Sequence, residues 1–155
     1  MKLAIACDHA GYALKQTLLS RLATDHDVLD LGTHGPQSVD YPNFAEAVAR
    51  RVVQGEVARG ILICGTGIGM AITANKVPGC RASVVHDTFS ARASVEHNHL
   101  NVLTLGARVI GDELAWEVVK TFLASQFAGG RHQKRLDLIT ALEQAAQELP
   151  GTERR

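Results

Sequence analysis

The segment Cys64-Gly65-Thr66-Gly67-Ile68-Gly69 sets a thiol against three glycines in five positions. Such glycines let the backbone approach a ligand closely and point several N–H groups one way. The product is a cradle for an anion, either a phosphate or an oxyanion that develops during reaction. A cysteine at the lip of the cradle has its thiolate favoured by the same field, which makes it a candidate nucleophile or general base. The plain alternative is a tight strand-to-helix turn that binds nothing.

Three better-known loops do not fit. A P-loop needs Gly-x-x-x-x-Gly-Lys-Ser/Thr, and no such run exists. A dinucleotide fingerprint follows the first strand, whereas these glycines follow the third apolar run, and Met70 stands where the last glycine belongs. A cysteine-phosphatase loop needs arginine six places past the cysteine, and that place is again Met70.

Other polar groups carry weaker signals. Asp8 and His9 close the first apolar run, and His9 suits either a phosphate contact or a polar turn. His97-Asn98-His99 ends a helical stretch, where a histidine also complements the helix dipole. Asp87 suits an N-cap and Asn75 a helix end. Arg131 and Arg135 stand four apart, so a helix puts both guanidiniums on one face, as a phosphate requires. The alternative for them is a solvated basic stretch. Cys7 and Cys80 read as small semi-buried residues.

Short apolar runs must position these groups: Leu3–Cys7, Val28–Leu31, Gly60–Cys64, Arg81–Val85 and Asn101–Leu105. Helical spacing links them, over Leu14–Leu22, Phe44–Val53, Met70–Asn75, Thr88–Glu96, Asp112–Ser125 and Gln133–Leu149. Strands alternating with helices predict a three-layer αβα sandwich around a Rossmann-like, five-stranded parallel sheet. Ligands in such folds bind at the carboxyl ends of the strands. That edge is where Cys7-Asp8-His9, the glycine loop, His86-Asp87 and Gly106-Ala107-Arg108 all fall. One domain is expected over residues 1–149, with a disordered tail at 150–155. The last helix carries Leu138, Leu142, Ala145 and Leu149 on one face, which suits packing on a partner chain or on its own domain.

A formal net charge of zero argues against a dedicated nucleic-acid or membrane-surface binder, so any anion site is local. Three cysteines make no disulfide framework or Cys-x-x-Cys zinc site, and a reducing cytoplasm is expected.

Several anchors occur in order: Cys7-Asp8-His9-Ala10-Gly11, Asp40-Tyr41-Pro42, Gly60 through Gly69, Ala74-Asn75-Lys76, His97-Asn98, Asn101-Val102-Leu103, Gly106-Ala107-Arg108 and Gly129-Gly130-Arg131-His132. With them the chain resembles the ribose-5-phosphate isomerase B family, shared with galactose-6-phosphate isomerase subunits, over about residues 2 to 146. The resemblance implies interconversion of ribose 5-phosphate and ribulose 5-phosphate through a cis-enediolate, with no cofactor and no metal. It implies Cys64 as the base, Thr66 assisting it, and the backbone of Gly65, Gly67, Ile68 and Gly69 holding the enediolate oxygen. It implies His97 as the group that opens the furanose ring, and Asp8 and Asn98 as contacts to sugar hydroxyls. His9, Arg108, Arg131 and Arg135 would bind phosphate, and Asp40 and Tyr41 would line the site. Dimers or tetramers with sites shared between chains follow from the same likeness. Met70 replaces the glutamate base of some relatives, which places this chain with the cysteine form. His99-Leu100 departs from the family's Asp followed by Thr. A hexose 6-phosphate (allose or galactose) is the alternative substrate, and a non-catalytic phosphosugar-binding domain is the alternative class.

Overall fold

The computed structural model describes residues 1–148; Leu149 and the tail expected at 150–155 lie outside the described residues. Five strands form, β1 (Lys2–Cys7), β2 (Asp27–Asp30), β3 (Arg59–Cys64), β4 (Ala82–Val84) and β5 (Val102–Gly106). All neighbours pair in parallel, in the order β2-β1-β3-β5-β4. Leu3–Cys7, Gly60–Cys64 and Val102–Gly106 are buried throughout. This explains why these runs are continuously apolar rather than alternating: helices cover both faces of a parallel sheet.

The helices are α1 (Tyr12–Leu22), α2 (Tyr41–Val53), α3 (Ile68–Ala74), α4 (Thr88–Asn98), α5 (Asp112–Ala124) and α6 (Arg131–Glu148). On one face α1, α4 and α5 bury Leu18, Val95 and Phe122 against Ile5, Ile61 and Leu103. On the other, α2 and α3 bury Val48, Val52 and Met70 against Ala4, Ala6 and Leu62. The αβα sandwich expected from the alternating pattern is the one observed.

Helix ends explain several polar residues. α2 starts at Tyr41, three residues before the expected Phe44, because Pro42 in the first turn forfeits only an N–H that has no helical partner there. Asp87 caps α4 by accepting from Ser90 N–H at 2.7 Å. Asn75 stitches the end of α3 to β4 through two bonds with the Ala82 backbone, at 2.7 and 2.8 Å. α1 carries a fully buried Lys15, whose ammonium pairs with Asp30 at 2.5 Å and donates to Thr33 O at 2.8 Å. That pair ties α1 to the loop leaving β2.

α6 buries only His132 and Leu136 among its described side chains. Leu138 and Leu142 are 62% and 72% exposed, so the apolar face expected on this helix is not covered by its own domain.

Candidate active site

The chain leaves β1 for β2 on one side and reaches β3 on the other, with α1 and α2 on opposite faces of the sheet. A crevice must therefore open between the carboxyl ends of β1 and β3. Cys7 pairs in register with Ile63, which puts Asp8 and Cys64 side by side at its rim. A cleft of about 430 Å³ lies there, lined by Asp8, Tyr41, Cys64, Gly65, Thr66, Ile68, Gly69, Ile72 and Arg108.

Gly67 is the hinge of the loop. It caps α3 at φ 81°, and a Cβ there would also sit 3.0 Å from the Leu105 carbonyl carbon. Only glycine meets both demands. The turn aims the Gly67 N–H at Cys64 Sγ, 3.1 Å away. Ile68 N–H donates to Thr66 Oγ1 at 3.3 Å, so Thr66 braces the first turn of α3. The N–H groups of Gly65, Thr66 and Gly69 meet no acceptor among the described residues and remain open to a ligand. α3 runs only seven residues, so these individual donors, rather than a long helix, carry the electrostatics of the loop.

The three cysteines divide by environment. Burial pushes the Cys7 thiol up to about 11, with Lys15 opposing, and the Cys80 thiol up to about 12, with Arg81 opposing. Both are inert at neutral pH. Cys64 alone of the three lines the cleft.

Asp8 is buried and accepts from Ala10 and Gly11 N–H at 2.9 and 3.1 Å, both through Oδ1. Its Oδ2 is left for the cleft. His9 stands just behind it and accepts Val39 N–H at Nδ1, 3.3 Å away. Its proton therefore sits on Nε2, so one nitrogen holds the turn while the other can donate. Tyr41 lies over the loop so closely that a Cβ on Gly69 would be 2.5 Å from its ring. Arg108 is exposed, and its guanidinium lies over Gly65, where a Cβ would be 3.1 Å from Nη1. Asp40 precedes α2, is exposed and makes no cap bond.

The remaining expected residues form a second group. His97 and Asn98 end α4, and a helix that follows a parallel strand returns to the amino edge of the sheet, away from Cys64. Asn98 lines a different cavity, of about 490 Å³, with Arg81, Ser94, Leu136 and Glu143. Arg131 and Arg135, on the first turns of α6, join His97 through His132, whose ring stacks on it at 4.4 Å. The expected residues of one chain thus fall in two separate groups: the thiol, loop and Arg108 at one edge, and His97, Asn98 and two arginines at the other.

The departure at His99-Leu100 has a structural role. His99 is the left-handed C-cap of α4 at φ 50°, its ring stacks on Phe127 at 4.7 Å, and its carbonyl accepts from Arg81 Nε at 2.8 Å. Leu100 is buried.

Two contributors were not among the expected site residues. Ile72, one turn past the loop, lines the cleft although it is exposed; its only signal was its i+4 spacing from Ile68. His86 accepts Gly106 N–H at Nε2, 2.9 Å away, and so braces the strand end that backs Thr66. Its position after the fourth strand was the available hint. Among the described residues no three His, Cys, Asp or Glu side chains gather as a metal-ligand set. No described helix is long and apolar enough to cross a membrane.

The chain matches the family model described as Ribose/Galactose Isomerase over residues 3–139. It is 51% identical to the putative sugar phosphate isomerase YwlF of Bacillus subtilis over 93% of this chain and 98% of that one. It is 48% identical to ribose-5-phosphate isomerase B of Escherichia coli over 92% of this chain and 97% of that one. The solved structure of ribose-5-phosphate isomerase B from Clostridium thermocellum superimposes with a TM-score of 0.93 at 49% identity, covering 94% of this chain and 99% of that one. Fold, loop and whole-length identity agree, and the chain belongs to the ribose/galactose isomerase family.

Proposed function

We propose that this protein interconverts ribose 5-phosphate and ribulose 5-phosphate through a cis-enediolate. The observation that carries the reading is the Cys64 thiol at the rim of a polar cleft, with an N–H on its sulfur and further loop N–H groups open beside it. The names of the relatives in Escherichia coli and Clostridium thermocellum support the five-carbon substrate.

Cys64 removes the C2 proton of the linear aldose. The C–H electrons form the C1–C2 double bond, and the carbonyl electrons move onto O1. The same sulfur returns the proton to C1, which takes it up with the C1–C2 double-bond electrons, while the O2 proton passes to O1 and the O2–H electrons form the C2 ketone. Thr66 assists these oxygen protons. The N–H groups of Gly65 and Gly69 are free to face the enediolate charge, and those of Gly67 and Ile68 turn to it from Cys64 Sγ and Thr66 Oγ1 when the substrate binds; one such donor is worth roughly 3 kcal/mol in a transition state. Asp8 and Asn98 hold sugar hydroxyls, and Asp40 and Tyr41 line the cleft. His9, Arg108, Arg131 and Arg135 bind the phosphate, whose distance from the reacting carbons makes it a source of orientation.

The two groups are half-sites that meet in a homodimer or a tetramer built from it, in which each Cys64 loop receives His97 from the second copy. His97 opens the furanose by proton transfer to the ring oxygen. The uncovered Leu138 and Leu142 face of α6 supplies apolar surface for such a contact. Unpaired thiols suit a reducing cytoplasm.

Mixing Cys64→Ala with His97→Asn, each inactive alone, tests the shared site. Random exchange of subunits restores about one quarter of wild-type turnover, because half the dimers carry one intact site of two. No recovery refutes the shared site. In a panel of sugar phosphates on the wild type, a hexose 6-phosphate preferred tenfold in kcat/KM overturns the pentose reading, and binding without turnover overturns the enzyme.

A further inference from the structure

Three contacts lash the end of α4 to the segment that opens α6. Ala128 N–H donates to Glu96 O at 3.0 Å. Phe127 stacks on His99 with an interplanar angle of 8°. His132 stacks on His97 with centroids 4.4 Å apart and an angle of 10°. The two rings of this last pair are unlike. His132 is 8% exposed and forms a buried floor, while His97 is exposed and presents its outer face and edges. His132 is itself held by its N–H bond to Gly129 O at 3.1 Å, at the start of α6. Burial first, then the neighbouring His97, Arg131 and Arg135, keep its imidazole below the ordinary histidine range. The floor is therefore neutral at neutral pH, and the stack does not set two cations face to face.

We propose that His132 is a positioning residue for the reaction: its buried ring locks the His97 imidazole in one plane and fixes its distance from the Arg131–Arg135 pair. The inference rests on the reading of His97 as the ring-opening acid. In the furanose, the ring oxygen and the phosphate stand a fixed distance apart. A proton donor and a phosphate clamp that belong to one stiff unit can match that distance; a free exposed histidine cannot. Misplacing a donor by about 1 Å costs on the order of 10²-fold in rate.

The test compares His132→Ala, His132→Phe and His97→Asn by two readouts. One is net conversion of ribose 5-phosphate, which is mostly furanose. The other is deuterium wash-in at C1 of ribulose 5-phosphate in D2O, which needs the Cys64 chemistry but no ring step. His132→Ala lowers kcat for conversion on the order of 10²-fold and changes C1 exchange by no more than about three-fold. His132→Phe, which keeps a flat ring but no proton, restores conversion to within about five-fold of wild type. Equal losses in both readouts, or no loss of conversion in His132→Ala, overturn the proposal. So does a Phe variant as poor as Ala when His132→Gln is active, since a hydrogen bond would then be the function. His97→Asn separates the two layers of argument. If it retains exchange and loses conversion while His132→Ala matches wild type, only the positioning role fails. If it loses exchange as well, the ring-opening role fails first.

Discussion

Gly106→Ala probes how tightly the sheet sets the loop. Gly106 pairs in register with Cys64, and a Cβ built on it would lie 2.8 Å from the Thr66 carbonyl carbon and oxygen and 2.8 Å from Val109 Cγ2. The valine methyl can turn aside, but Thr66 backbone cannot. Ordinary contact returns only if the loop retreats by roughly half an ångström. The strand side does not yield, because Gly106 N–H is bonded to His86 Nε2 at 2.9 Å and Ala107 N–H to Cys64 O at 2.9 Å. The displacement therefore falls on Thr66 and Gly67, which carry the donors. Overpacking of this kind costs about 1–3 kcal/mol of stability. A half-ångström error in the donors costs on the order of ten-fold in kcat. Gly55→Ala is the control: its φ is 74°, so alanine is strained, yet nothing lies within 4 Å of the new methyl. That strain costs about 1 kcal/mol and reaches no site. Urea unfolding and steady-state kinetics on both variants decide the matter. Both lose stability, and only Gly106→Ala loses kcat. A Gly106→Ala enzyme within two-fold of wild type, or a Gly55→Ala enzyme equally impaired, refutes the reasoning.

Two further outcomes are expected. Iodoacetamide on the native protein at pH 8 modifies Cys64 and spares Cys7 and Cys80, whose thiols burial has raised to about 11 and about 12; peptide mass mapping that finds either of those labelled as fast as Cys64 contradicts this. Stability falls on mild acidification, because His86, His99 and His132 all sit below the ordinary imidazole range, chiefly through burial. The unfolded chain takes up those protons near about pH 6.5 while the folded chain resists them, so stability is intact above that pH and is lost below it. The melting temperature accordingly drops from pH 7 to pH 5 and drops less in His86→Gln; a flat profile in the wild type rules this out.

Much of the loop was legible from residue types alone. Cysteine followed by alternating glycines already required a close-approach turn with converging N–H groups, and Gly67 and Gly106 serve that end. Five apolar runs separated by helical spacing required a covered parallel sheet, since burial on both faces removes the polar alternation an exposed sheet would show. Less was legible where one residue type answers several demands. His9, His86, His97, His99 and His132 look alike in a sequence. Their partners, namely Val39 N–H, Gly106 N–H, a second imidazole and Phe127, come from distant parts of the chain.

The chain's own order of residues thus determined the sheet, the candidate thiol and the edge at which it would act, because local spacing and hydrophobic burial decide those. Tertiary structure alone decided which candidates share a cleft. It brought Asp8 from the end of β1, Tyr41 from the start of α2 and Arg108 from the turn after β5 to Cys64, and carried His97 to the opposite edge of the sheet, since each covering helix must run back across it. The same folding set His132 beneath His97, a contact between α4 and α6 that neither helix encodes by itself.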